Sequence, residues 1–233
     1  MKLIPDRTSS GLAVLRLEGA CACRNGWAFV RRGEYDYAEA CRDCGSMRDL
    51  AGRFNAASLP AWAHEVAAGW SDDIAPRSAA VDLARRLKES REFGRTYFGD
   101  TGRGKSWRAC AVATAWLDAG GSLTWVTWPA FVNELRNRIA EKLGGIADSV
   151  ARPLQSPLLI IDELGCGQDT PFAREVAERI VGQRAEMGAP MLVTTHKNPD
   201  ALRDYIGDRA WSRLARYRGT EVAGVDLRAK EDA

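Results

Sequence analysis

Gly99-Asp100-Thr101-Gly102-Arg103-Gly104-Lys105-Ser106 decides how this chain is read. It satisfies the pattern G-x-x-x-x-G-K-[ST], follows a short strand-like run (Arg95–Phe98) and opens a helical stretch reaching about Ala119. Glycines let the backbone wrap closely enough for its N–H groups to face phosphate oxygens. The helix N-terminus behind them adds a favourable dipole. All eight residues are therefore candidate nucleotide-binding residues. Lys105 is expected to reach the β- and γ-phosphates, and Ser106 to ligate Mg²⁺. A glycine-rich turn without a ligand is the alternative, and the strand–turn–helix setting weighs against it.

Downstream, Leu158-Leu159-Ile160-Ile161 is a continuous apolar run ending in Asp162-Glu163. Such a run fits a strand buried on both faces of a parallel sheet, and an acid at its carboxyl end lies at the ligand edge. Asp162 is the second Mg²⁺ candidate. Glu163 is suited to orient and deprotonate an attacking water. These motifs predict ATP hydrolysis, with ATP and Mg²⁺ as the bound species.

The rest of this region alternates between strand and helix patterns. Val81, Ala84 and Leu87 mark one helix face, and Ser122–Thr127 reads as a strand. Phe131, Leu135 and Ile139 sit four apart on the next helix, as do Phe172, Val176 and Ile180 further on. Pro190–Thr195 gives another strand, 200–206 and 208–216 read as helices, and a closing strand is expected near Glu221–Val225. The implied fold class is α/β, a doubly wound parallel sheet.

Residues 1–73 show little regular periodicity, and the polar, Pro-containing stretch from Trp70 to Pro76 suggests a boundary. The expected division is 1–73 and 74–233. Composition is that of an ordinary globular protein, and the net charge of +2 hides little asymmetry, with 9 Lys/Arg against 10 Asp/Glu in residues 1–73 and 24 against 21 in the remainder. Bulk charge therefore names no partner. No apolar run nears the ~20 residues a membrane helix needs, and MKLIPDRTSS has no signal-peptide core. The expectation is a cytoplasmic protein without membrane association.

Four of six cysteines crowd together: Cys21-x-Cys23, a 17-residue interval, then Cys41-x-x-Cys44. Two thiolate pairs brought together by a folded excursion suit tetrahedral Zn²⁺, and four protein ligands leave no open catalytic position. Four buried thiols are the alternative reading. At the end of the fourth α/β strand, Thr194-Thr195-His196 offers polar groups near a γ-phosphate; an ordinary loop histidine is the alternative for His196. Arg209, Arg213 and Arg216 share one helix face. One of them is a candidate arginine finger for a neighbouring subunit's ATP, against the alternative of a solvated basic face. Trp125, Trp128, Arg136, Arg138 and Lys142 mix aromatic and basic chemistry suited to single strands, without singling out any one residue.

Together these residues resemble the AAA+ helicase loaders of the DnaC-like and DnaI-like family, with IstB-type ATPases as relatives. Cys21–Cys44, Arg53-Phe54 and Leu59-Pro60 look like the family's amino-terminal portion. Gly99–Ser106 and Leu159–Gly165 match its two nucleotide-site segments, and Thr194–His196 aligns with its sensor. Gly207–Leu214 is similar to its finger-bearing segment, and Gly224-Val225-Asp226-Leu227-Arg228 resembles its usual ending. By that match Arg213 is the finger, with Arg209 second. The resemblance implies an AAA+ (P-loop) domain without a C-terminal helical lid, preceded by a small zinc-binding N-terminal domain. It further implies partners: a DnaB-type replicative helicase hexamer, single-stranded DNA, and copies of this chain meeting through their ATP sites. The implied function is loading that helicase during DNA replication. An IstB-like transposition regulator and a nucleotide-regulated zinc adaptor are the alternatives.

Overall fold

The computed structural model describes residues 2–7, 13–18, 21, 27–32, 35–41, 44–60, 62–63, 76–224 and 226–227. Strands β1 (Lys2–Arg7) and β2 (Ala13–Glu18) pair antiparallel, as do β3 (Trp27–Arg32) and β4 (Tyr35–Ala40). Helix α1 (Gly45–Ala56) follows. The amino-terminal part is thus more regular than its sequence pattern suggested. Tyr35-Asp36-Tyr37 alternates with the period of two that a strand requires, over a run short enough to escape notice.

Beyond it lie α2 (Arg77–Lys88), β5 (Gly94–Phe98), α3 (Lys105–Asp118), β6 (Thr124–Thr127) and α4 (Trp128–Ala140). Then come α5 (Ile146–Gln155), β7 (Leu159–Asp162), α6 (Pro171–Met187) and β8 (Met191–Thr195). α7 (Pro199–Ile206), α8 (Asp208–Leu214) and β9 (Arg218–Glu221) complete the described elements. The five later strands form one parallel sheet in the order β6-β7-β8-β5-β9. The expected doubly wound parallel sheet is therefore present.

Alternation along the central strands explains the two layers. Ile160 and Leu192 face a core shared with α2 and α3, whereas Leu159, Ile161, Met191 and Val193 face one shared with α4, α6 and α8. The first core also takes in Phe54, Ala57, Leu59 and Ala63, so the end of α1 and the segment after it are packed against the large sheet. Its contacts are specific. Trp125 N–H donates to the Ala57 carbonyl (3.2 Å) on the otherwise open edge of β6. The Trp62 ring stacks on Trp107, centroids 6.3 Å apart, and meets Trp125 edge-on.

Three local expectations need correction. Val81 is 48% exposed; the buried face of α2 is Ala80, Leu83, Ala84 and Leu87. The closing strand starts at Arg218 rather than Glu221, because it is backbone register with β5 (Arg95 opposite Arg218) that defines it, not apolar content. Helix α5 was not anticipated. Pro153 interrupts its pattern, and its last turn relies on a remote residue: Arg184 donates to the carbonyls of Pro153, Leu154 and Ser156. Among the described residues, no helix is long and apolar enough to cross a membrane.

Candidate nucleotide site

Parallel register brings the functional groups to one end of the sheet. Phe98 lies opposite Thr195, and Thr127 opposite Asp162, so β5, β7 and β8 all end at the same edge. The chain leaves β5 through Gly99–Gly104 and enters α3 at Lys105. Gly102 and Gly104 hold φ near +80°, which residues with a Cβ rarely adopt. Gly99 has φ +136°, and a Cβ there would meet the Val222 carbonyl at 2.7 Å. The glycines are thus demanded by backbone shape and by close approach together.

Lys105 Nζ donates to the carbonyls of Gly99 (2.8 Å) and Asp100 (2.6 Å), folding its ammonium back over the loop. Arg103 lies 3.6 Å from the exposed Asp100 carboxylate within the same loop, and Thr101 is exposed. Ser106 Oγ donates to Asp162 Oδ1 at 2.6 Å, so the two expected Mg²⁺ ligands, separated by 56 residues in sequence, are in contact. Thr194 Oγ1 donates to the same Asp162 oxygen, also at 2.6 Å. Asp162 is buried, and burial is the main force pushing its carboxyl pKa up. The Ser106 and Thr194 hydroxyls pull it down, Glu163 raises it and Lys105 lowers it. A buried carboxylate beside a hydroxyl is an oxygen donor set that fits a hard divalent cation.

Glu163 follows Asp162 with φ +62°, an uncommon backbone state for a residue with a side chain. The state is held by its neighbours: Glu163 N–H donates to Thr194 Oγ1 (2.9 Å) and Leu164 N–H to the Thr194 carbonyl (2.8 Å). Thr195 Oγ1 in turn donates to the Leu164 carbonyl (2.8 Å). The turn leaves the Glu163 carboxylate exposed at the loop's side of the sheet. Such bent, over-determined backbone is common where a side chain must be aimed.

Thr194 is the group at this strand end that touches the acidic pair. His196, the residue expected there, is exposed one position beyond β8. The signal was the paired threonines at the end of an apolar strand. Arg213 is half-buried on α8 against α6, 3.4 Å from Glu186 and beside Gly182, while Arg209 is exposed. Trp128 is spent in the core, where its indole N–H donates to the Tyr205 hydroxyl (2.9 Å). Trp125 is likewise buried, so neither tryptophan is an open stacking platform. A cavity of about 220 Å³ lies between the start of α4 and Cys166–Gln168, lined by no residue of the phosphate loop.

A second cluster sits in the amino-terminal part. The sulfurs of Cys21, Cys41 and Cys44 lie within 4.8 Å of one another, with Cys21 Sγ 3.6 Å from Cys41 Sγ. Cys44 caps α1, and Arg48 Nε reaches its sulfur at 3.4 Å. Three convergent, mostly buried thiols fit a tetrahedral zinc site, whose ~2.3 Å Zn–S bonds hold sulfurs just under 4 Å apart. Cys23, the fourth expected ligand, lies outside the described residues.

The phosphate loop, the acidic strand end and a strand inserted between them define an AAA+ P-loop ATPase domain. Residues 79–214, more than half of the chain, match the IstB-like ATP binding protein family, and the chain belongs to it. No curated protein matches at the level of sequence. Among solved structures, the DnaC helicase loader is similar at TM-score 0.53 and 17% identity, over 64% of this chain and 90% of that one. DnaI is similar at TM-score 0.51 and 19% identity, over 64% and 82%. AMPPCP-bound DnaA from Aquifex aeolicus reaches TM-score 0.53 at 17% identity, over 67% and 50%. At these identities the likeness concerns the fold.

Proposed function

We propose that this ATPase loads a replicative, DnaB-type helicase hexamer onto single-stranded DNA, as an ATP-switched assembly factor in replication. The observation carrying this reading is the likeness to the DnaC helicase loader across 90% of that chain. The DnaI likeness, and that to a replication initiator bound to AMPPCP and single-stranded DNA, point the same way. In this reading residues 74–233 are the ATPase part and 1–73 grip the helicase. Zinc held by Cys21, Cys23, Cys41 and Cys44 stiffens the gripping part. Phe54, Leu59 and Ala63, packed into the ATPase core, tie the grip to the switch.

At the nucleotide site, Gly99–Gly104 cradle the phosphates and Lys105 turns from the loop carbonyls toward the γ-phosphate. Ser106 and Asp162 are the residues that would hold Mg²⁺, which when bound would supply positive charge to offset that of the phosphates. Glu163 takes the water's proton while Thr194 fixes the Asp162–Glu163 turn. Arg213, on α8 and packed against α6 beside Glu186, serves as the finger for a neighbouring subunit's ATP. Assembly of copies around DNA then completes each site.

The family match itself favours a second reading, an IstB-like transposition regulator acting on duplex DNA. A pull-down with the host's replicative helicase, in ATP and in ADP, separates the two. The loader reading expects nucleotide-dependent capture of the hexamer and stimulated loading. Absence of both, with ATP-dependent filaments on duplex DNA instead, overturns it.

A further inference from the structure

The turn that carries Glu163 runs on past Leu164. Cys166 N–H donates to the Glu163 carbonyl (2.9 Å), closing a tight turn with Gly165 at φ +79°. Cys166, Gly167 and Gln168 then pass over the cavity of about 220 Å³, whose other wall is the start of α4. Gly167 is again left-handed, at φ +86°. A glycine-containing stretch beside a cavity has little side-chain packing to hold its shape. Arg136 reaches it from α4. The guanidinium donates to Thr170 Oγ1 (2.6 Å) and to Gln168 Oε1 (3.4 Å), and lies over the Phe172 ring, 5.7 Å from its centroid. Thr170 Oγ1 also accepts from Ala173 N–H (3.3 Å), so the same hydroxyl caps α6.

We infer that Arg136 is a positioning residue for ATP hydrolysis: it braces residues 163–170 against α4 and so keeps the Glu163 carboxylate in line with the attacking water. The inference rests on reading Glu163 as the base. The path is short, from Arg136 to Gln168 and Thr170, back along the loop to Cys166, and across the turn to Glu163. A base must stay within hydrogen-bond reach of its water, and a displacement of about 1 Å costs up to ~100-fold in rate. Without the brace the loop can settle into the cavity, and Glu163 turns with it. A planar fork of donors suits this task, because it reaches two acceptors in fixed directions. The guanidinium is thereby spent within the protein rather than offered to a nucleic-acid strand.

Steady-state ATP hydrolysis by the full-length protein, with equilibrium binding of a fluorescent ATP analogue alongside, tests the brace. Arg136→Leu is expected to lower kcat about tenfold. ATP affinity should be unchanged, because β8 stands between the loop after β7 and the phosphate loop after β5. In a Glu163→Gln background the same substitution should cost nothing further, since both act through one group. A maleimide pulse read by mass spectrometry is independent of activity. Half-buried Cys166 should be alkylated several-fold faster in Arg136→Leu, while the fully buried Cys110 stays protected. Should that variant fold poorly, Thr170→Val deletes the acceptor instead, with the same expectations. Unchanged kcat or unchanged Cys166 labelling overturns the brace. Parallel labelling of Cys110 also overturns it, as general loosening, and so does a further tenfold loss in the Glu163→Gln background, as a different route. Full hydrolysis by Glu163→Gln alone would instead remove the reading of Glu163 as the base, and this inference with it.

Discussion

At the carboxyl ends of β7 and β8 the sheet buries Asp162, whose hydrogen-bond donors are the hydroxyls of Ser106 and Thr194. At the opposite ends of the same strands it buries Arg184, fully enclosed and donating to the carbonyls of Pro153, Leu154, Ser156 and Pro190. Both are charged groups in an apolar setting, and burial opposes the charge of each. It pushes Asp162 up and Arg184 down to about 10, with the Tyr217 phenol, itself pushed up to about 12 by burial, partly countering the latter. The environments differ in kind. Arg184 is held by four carbonyl contacts and remains charged at neutral pH. Asp162 has two neutral donors, and the proximity of Lys105 only partly balances it. A charge held by fixed backbone carbonyls, even with Arg184 Nε left without a partner, is architecture, whereas one left partly unbalanced beside a phosphate loop is a place for a cation.

Replacing Arg184 should produce the largest change in stability. Arg184→Met keeps much of the volume but removes every donor, leaving the carbonyls at the end of α5 and the start of β8 without partners. Unsatisfied buried polar groups cost ~1–3 kcal/mol each, so a loss of about 4 kcal/mol is expected in denaturant unfolding. The folded fraction should bind ATP as before. Equal loss of ATP affinity would erase the distinction between the two ends.

Asp162→Asn tests the other end, with opposite signs for stability and activity. Removing this proposed Mg²⁺ ligand should lower ATP hydrolysis by ~100-fold or more. Stability without nucleotide should improve, through a sign that follows from linkage. The folded state holds Asp162's proton more tightly than the unfolded chain, so unfolding releases it between the ordinary value of 3.8 and the raised folded one. Across that window the wild type loses stability as pH rises, and the loss persists at neutral pH. The Asn variant should lack this component, and paired unfolding curves from pH 4 to 8 measure it. Parallel curves would show that Asp162 is not strained by burial.

How far these roles could be read from sequence differs between the two ends. Gly99–Ser106 and Asp162–Glu163 were legible because nucleotide chemistry fixes residue types at fixed spacing, and their strands alternate with helices at an ordinary rhythm. The central strands were legible because four successive apolar residues admit few other uses. Arg184 was silent, since an arginine on an amphipathic helix looks solvated until the chain folds α5 against it. Thr194 was half visible: the strand end Thr194-Thr195-His196 was located, but which of its polar groups meets Asp162 depends on which side chain the strand turns inward, and that is the buried Thr194 hydroxyl.

The smallest expected effect concerns α2, where sequence and structure part by one step of a helix. Val81, Ala84 and Leu87 sit at i, i+3 and i+6, each about 60° further round, so they drift across an arc of about 120° with Val81 at its outer edge. Burial selects Ala80, Leu83, Ala84 and Leu87 instead, which follow the i, i+3, i+4, i+7 pattern of a face packed on a core. The outward position of Val81 has a consequence. Val81→Ser should change stability by less than ~0.5 kcal/mol, as exposed substitutions do. Leu83→Ala, on the buried side, should cost ~2–5 kcal/mol. Thermal unfolding of the two variants in parallel reads the orientation of α2 directly. Equal losses would mean that Val81 is covered in solution, and would turn the exposed row of α2 into part of the core that also receives Phe54 and Leu59.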